Sequence, residues 1–217
     1  MTDWVDKYIK KRKIKKRVYR LQQRVSAISG VIKKNCRKDN FKLLEIGSGD
    51  GKFLSELHKL YYKNEFFGIE PSKRLVKIND NVSIKIVCAS GENLPYEAAY
   101  LDIVVMPAAI EHIKNVGATL TEIKRVLKNG GLFIVTWPNP FWDKINGIFV
   151  DTGHINRYGF YAMEQLLINS GFHIIKKYGF MLFPFFNIPL QEFFENIFRY
   201  FGLDFLLFNY IVAVEKR

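Results

Sequence analysis

The stretch Leu43-Leu44-Glu45-Ile46-Gly47-Ser48-Gly49-Asp50-Gly51-Lys52-Phe53-Leu54 constrains the fold more than any other part of the chain. A short apolar run of strand type passes into a loop with glycine at every second position, then into a segment of helical pattern. Glycine permits positive φ and lets a ligand approach the backbone closely. The N–H groups at the start of the following helix favour a negatively charged group. The spacing separates nucleotide-binding folds. A dinucleotide fingerprint needs G-x-G-x-x-G, but Lys52 stands where the third glycine would be; a P-loop needs G-x-x-x-x-G-K-[ST], which Gly47 to Lys52 does not provide.

From Phe41 onward, short apolar segments alternate with helical ones. Strands are expected at Lys42–Ile46, Phe66–Ile69, Ile84–Cys88, Leu101–Met106, Gly131–Thr136, Phe172–Tyr178 and Tyr210–Glu215, and helices near Lys52–Tyr62, Lys73–Ile78 and Thr119–Leu127. This alternation predicts βαβ units, right-handed crossovers and a mostly parallel α/β sheet. Upstream, Val18, Leu21, Val25, Ile28 and Ile32 recur at spacings of three or four, which predicts a helix over residues 3–35, with a weaker stripe at Trp4, Tyr8 and Ile14. Without a repeat or a low-complexity linker, the reading is one α/β domain at 41–217 behind a helical extension at 1–40.

Four segments in register carry a resemblance. Glu45-x-Gly47-x-Gly49-x-Gly51, Gly68-Ile69-Glu70-Pro71-Ser72, Ala89-Ser90-Gly91-Glu92-Asn93-Leu94-Pro95-Tyr96 and the run from Leu101 through Glu111-His112 to Lys128-Asn129-Gly130-Gly131 together resemble class I S-adenosylmethionine-dependent methyltransferases of the ubiquinone/menaquinone type (methyltransferase type 11 group). The resemblance implies a Rossmann-like, doubly wound sheet of seven strands in the order 3-2-1-4-5-7-6, with strand 7 antiparallel. It implies S-adenosylmethionine as cofactor and S-adenosylhomocysteine as product. The implied donor-binding residues are Glu45, Gly47, Ser48, Gly49 and Gly51 at the amino-acid end, Glu70 and Pro71 at the ribose, Ser90, Gly91 and Glu92 around the adenine, and Met106. Ser90 stands where the family has an aspartate, so a backbone contact at Gly91 is favoured there. A carboxylate such as Glu70, at the carboxyl end of a parallel strand beside the first, can accept both ribose hydroxyls.

A sulfonium donor already activates its methyl group, so the protein must mainly align a nucleophile behind it. A base matters for a hydroxyl or a protonated amine. The expected catalytic residues are His154 and His112. His154 lies in Asp151-Thr152-Gly153-His154-Ile155-Asn156-Arg157-Tyr158, which is similar to the family's D-P-x-H-x-x-F/Y segment; Arg157 and Tyr158 are expected substrate contacts, and Glu111 reads as a structural carboxylate. The [ND]-P-P-[FYW] clamp of adenine and glutamine-amide methyltransferases is replaced by Met106-Pro107-Ala108-Ala109. Cys36 and Cys88 follow no metal or C-x-x-C spacing; no metal is expected, and both read as free thiols.

Charge is the remaining signal. The net +12 is concentrated in residues 1–40, which hold 14 Lys+Arg against 3 Asp+Glu; residues 41–217 hold 19 against 18. The basic helix either lies over the active site as a lid or meets lipid headgroups or nucleic-acid phosphates. Eleven of the 19 phenylalanines fall in residues 172–208. An insert at about 180–208 is therefore core packing, an apolar substrate pocket or a membrane-facing patch. No secretory segment or membrane span is expected. The acceptor implied is small or lipid-like, with an RNA acceptor or a non-catalytic donor-binding module as alternatives. The expected location is cytoplasmic, with peripheral association at the inner face of the membrane as an alternative.

Overall fold

The computed structural model describes residues 4–12, 14–149, 153–184 and 189–217. Seven strands form one sheet in the order β3-β2-β1-β4-β5-β7-β6. They are β1 (Lys42–Ile46), β2 (Glu65–Ile69), β3 (Ile84–Val87), β4 (Leu101–Pro107), β5 (Leu127–Pro138), β6 (Phe172–Phe180) and β7 (Asn209–Lys216). Pairing is parallel from β3 through β5, and β7 runs antiparallel to both β5 and β6, as the family resemblance implies.

The sheet is covered on both faces. On one, α2 (Lys15–Asn35) and α3 (Lys52–Leu60) bury Val25, Ile28, Val31, Ile32, Phe53, Leu54 and Leu57 against Leu43, Phe66, Ile103 and Ile134. On the other, α5 (Val116–Val126) and α7 (Phe160–Asn169) place Leu120, Ile123, Met163 and Leu167 on Leu44, Val104, Phe133 and Val135. Burial of such side chains contributes roughly 1.5–3 kcal/mol each. The basic helix α2 is thus part of the core through its apolar stripe. At the sheet's far end, Asp102 gathers Lys38, Lys128 and the Lys42 amide, which ties the residues after α2 to β1 and β4.

Several expected boundaries move. The single helix over 3–35 is two helices, α1 (Trp4–Arg12) and α2, because Ile14 is extended at φ −68°, ψ 129° and caps α2. Residue 3 and Lys13 lie outside the described residues. β5 begins at Leu127 rather than Gly131; pairing with β4 shifts between Leu101 and Ile103, and Gly130 adopts φ 73° within the extra segment. Three helices have no counterpart among the bounded expectations: α6 (Pro140–Phe149), α7 and α8 (Gln191–Tyr200).

The insert at 180–208 holds α8, and its sidedness is unusual. Gln191 and Glu195 face inward, while Phe193, Phe194, Tyr200 and Phe201 are exposed. The inner face is a polar network: Gln191 donates to Glu195 at 2.7 Å, Arg199 pairs with Glu195 at 2.7 Å, and the Tyr19 hydroxyl of α2 donates to Gln191 at 2.5 Å. Phe208 and Leu207 are core residues. The core reading of the insert therefore holds at its end and fails for the α8 rings; residues 185–188 lie outside the described residues.

Candidate active site

The donor side is built on the loop after β1. Gly47, Gly49 and Gly51 have φ of 76°, 56° and 77°, but they are not equivalent. A Cβ on Gly47 would lie 2.8 Å from the Ala109 methyl, and one on Gly51 would lie 2.7 Å from Ile86 Cδ1, so these two glycines let the loop pack on the protein. A Cβ on Gly49 would instead meet the Tyr8 hydroxyl at 2.8 Å. Gly49 is thus the position where the backbone opens, and the Tyr8 hydroxyl fills that opening from α1. Ser48 is buried and donates to the Ile69 carbonyl at 3.2 Å, toward β2 rather than the opening.

Around Gly49 stand three buried carboxylates, Glu45, Asp50 and Glu70. Burial pushes the Glu45 carboxyl well above its ordinary value, and the charges of Asp50 and Glu70 add to the shift. One Glu45 oxygen, Oε2, has no hydrogen-bond partner among the described residues. Burial also raises Glu70, against the donation it receives from the amides of Ser72 (2.9 Å) and Gly49 (3.0 Å). The Tyr8 hydroxyl is raised by burial and by Asp50, Glu45 and Glu70. An orphaned buried carboxylate oxygen suits an ammonium, and a carboxylate at the end of β2 suits vicinal hydroxyls. The residues present therefore fit S-adenosylmethionine.

The other predicted donor contacts are placed less uniformly. The Ser90 hydroxyl donates to Glu92 Oε2, and Glu92 Oε1 accepts from the Asn115 amide at 3.2 Å, so this pair joins the loop after β3 to the start of α5. A Cβ on Gly91 would approach Thr119 Cγ2 at 3.1 Å and Ile46 Cγ2 at 3.2 Å, a close packing position. Pro71 is exposed, whereas Met106 is fully buried in the core.

The acceptor side is assembled from separated segments. Glu111 and His112 sit on a 3-10 turn at Ile110–His112, next to Ala109 and hence to the glycine loop. The segment carrying His154 is fastened to this turn. The Ile155 and Asn156 amides donate to the Glu111 carbonyl at 2.9 and 3.1 Å, and the Asn156 side chain donates to the carbonyls of Ile110 (3.3 Å) and Ile113 (2.6 Å). His112 and His154 meet edge-on with ring centroids 4.8 Å apart. Asp143 of α6, itself buried, lies 2.6 Å from His154 Nδ1 and accepts from Arg157 Nε at 2.9 Å. Tyr158 packs against the core, and its carbonyl accepts from Trp137 Nε1 at 2.7 Å. Asp151 and Thr152 of the predicted motif lie outside the described residues.

Burial lowers the His154 imidazole, opposed by Asp143, and pushes the Glu111 carboxyl up to about 7. Among the described residues Glu111 Oε2 has no hydrogen-bond partner. Arg24 of α2 faces Glu111; burial lowers its guanidinium, Glu111 opposes this, and its buried Nε has no partner among the described residues. Tyr8, Arg24, Asp143 and Asn156 were not singled out as site residues from sequence. The available signal was slight: lone polar groups within helical or aromatic stretches. Cys36 and Cys88 are free.

Fold and site together are similar to those of class I S-adenosylmethionine-dependent methyltransferases, and the residues present fit S-adenosylmethionine as cofactor. More narrowly, residues 44–135 match the methyltransferase domain family. Protein MJ1123 of Methanocaldococcus jannaschii is 35% identical over 92 residues, 42% of each chain, so this chain spans under half the length of that relative in the match. Two solved structures share the whole fold. The methyltransferase in complex with the Trm112 activator of Haloferax volcanii superposes with TM-score 0.74 at 15% identity, covering 99% of this chain and 98% of that one. A SAM-dependent methyltransferase of Thermotoga maritima superposes with TM-score 0.73 at 19% identity, covering 99% and 97%.

Proposed function

We propose that this chain transfers a methyl group from S-adenosylmethionine to a small or lipid-like acceptor at a membrane surface. When bound, S-adenosylmethionine supplies a methyl group already activated by its sulfonium. The backbone opening at Gly49 leaves room for the donor once Tyr8 moves aside. Glu45 Oε2 takes the ammonium, and Glu70 exchanges the Gly49 amide for hydroxyl partners. Across the 3-10 turn, His154 and His112 orient the acceptor and hold or receive its proton. Asp143 fixes the His154 ring, and Asn156 holds its segment against the turn. Arg157 and Tyr158 act chiefly by shaping that segment. Excluding water from this pocket strengthens each of these polar contacts.

One observation carries the lipid-like part of the reading: α8, whose outer face is aromatic, packs on the basic helix α2 through its polar inner face, where Tyr19 meets Gln191. Arg20 donates to the Pro184 carbonyl at 2.9 Å and lies 4.8 Å over the Phe208 ring, while Lys15 and Lys16 are exposed. Phe141 and Trp142 of α6 add exposed rings, and Trp142 Nε1 donates to the Leu206 carbonyl at 2.8 Å, next to the insert. Rings beside lysines suit an anionic bilayer surface, where charge attracts and rings insert. Among the described residues, no helix is long and apolar enough to cross a membrane.

Co-sedimentation with vesicles containing phosphatidylglycerol tests this reading. Wild-type protein is expected to pellet, and the Phe193→Asp/Phe201→Asp double variant to stay in the supernatant. Because α2 is part of the core, its basic start is tested by Lys15→Glu/Lys16→Glu rather than by deletion. Salt-sensitive RNA binding lost in that variant, with no vesicle binding by the wild type, would replace the lipid reading with an RNA acceptor.

A further inference from the structure

The acceptor side holds a group of side chains that a simple acid–base reading does not require. Glu111, His112 and His154 each offer one ligand atom, and the three atoms lie within 4.8 Å of one another. Three ligands around one cation at about 2.1 Å stand roughly 3–3.6 Å apart. The group therefore has to draw in by about an ångström or more to close on an ion, and the exposed His112 has the freedom to move.

The surroundings prepare these residues as ligands. His112 Nδ1 lies 3.0 Å from the Gly153 carbonyl. A carbonyl only accepts, so Nδ1 carries the proton and Nε2 keeps its lone pair. His154 Nδ1 lies 2.6 Å from the Asp143 carboxylate, which can only accept, so the proton is held on that nitrogen. A carboxylate behind a ligating histidine is the usual outer partner of a metal-binding ring. Glu111 is 4% exposed, and its Oε2 has no hydrogen-bond partner among the described residues. A buried carboxylate within reach of two imidazoles matches the two-histidine, one-carboxylate set that holds divalent transition metals.

We propose that Glu111, His112 and His154 bind one divalent cation of the manganese-to-zinc series, and that the acceptor joins it through an anionic or acidic oxygen. This rests on the reading of this face as the acceptor side. Charge supports the choice of acceptor. Glu111 and Asp143 are matched by Arg24 and Arg157, which face them. A bound dication leaves the local sum positive, and an oxygen anion complements it. Nitrogen-containing ligands favour this series over magnesium and calcium, which prefer all-oxygen sites. A cation here lowers the pKa of a hydroxyl ligand, so the acceptor hydroxyl gives its proton to solvent water and binds as the oxyanion, which replaces proton transfer to His112 or His154 once these rings are ligands.

Titration calorimetry on chelator-treated full-length protein, with MnCl2 and then ZnCl2, tests the site apart from turnover; Co2+ absorption in the visible reports nitrogen ligation. One equivalent is expected to bind. His154→Ala and Glu111→Gln should each weaken it at least tenfold, and Asp143→Asn by about tenfold or more. His173→Ala, away from the site, and Gly49→Val, which breaks only the donor cradle, should leave it unchanged. Folded wild type that binds none of the three ions would overturn the proposal, as would binding that His154→Ala and Glu111→Gln do not weaken. S-adenosylmethionine binding in the same samples separates the outcomes: donor binding without metal binding removes this inference and leaves the methyltransferase reading standing.

Discussion

The two halves of the site are made differently. The donor half is one continuous strand, loop and helix, shaped by its backbone, with Glu70 brought alongside because β1 and β2 pair in register from Lys42↔Glu65 to Ile46↔Ile69. The acceptor half is made of side chains from a 3-10 turn, the helix α6 and the segment after residue 153, held together by hydrogen bonds rather than by the sheet. A backbone-built site tolerates change in neighbouring side chains but not at its open glycine. A side-chain-built site loses geometry gradually, and its specificity can change without disturbing the donor.

The contrast predicts graded effects. Gly49→Val should abolish donor binding in calorimetry, because it forces a branched residue to φ 56° and fills the space already taken by Tyr8. Retained affinity would break the assignment of this loop. Glu70→Ala should weaken donor binding by roughly 1.5–3 kcal/mol, the range for hydrogen bonds to a charged group. His154→Ala should lower turnover by about a hundredfold or more with donor affinity within twofold of wild type. If donor affinity falls equally, the halves are not separable.

A pH test follows from the carboxylates. Glu45 and Glu70 are both raised in the free protein, so the folded state binds more protons than the unfolded chain. The stability of free protein should therefore fall as pH rises from the ordinary carboxylate range through the raised values. Donor binding favours the ionised forms, so the donor-induced rise in melting temperature should be larger at about pH 8 than at about pH 5. A shift independent of pH would remove these acids from the donor site. The smallest effect is expected for Asn156→Ala, which should cost about 1 kcal/mol of stability and lower turnover while sparing donor affinity.

Legibility in the sequence followed the same division. The bounds of β1 were readable to the residue, and so was the gathering of Glu45, Gly49 and Glu70 around one loop, because local spacing sets local geometry there. His112 and His154 were readable as residues but not as neighbours, since the contact depends on how Asn156 fastens one segment to another 43 residues away. Asp143 gave little warning within Pro140–Phe149, where glycine and asparagine weaken the helical pattern. The α8 rings misled for another reason: aromatic residues at helical spacing ordinarily mark a buried face, but here Gln191, Glu195 and Arg199 form a satisfied polar network that turns the rings outward.

Tyr8 also bears on the tempo of the reaction. It is carried by a nine-residue helix that anchors through Val5 and through the pairing of Asp6 with Arg74, and its hydroxyl rests against Gly49. On the proposed donor placement, loading fresh donor and discarding spent donor both require this side chain to leave that space. The residence time of the demethylated product should then follow its departure, and turnover should slow in viscous solvent even when the methyl transfer itself is fast.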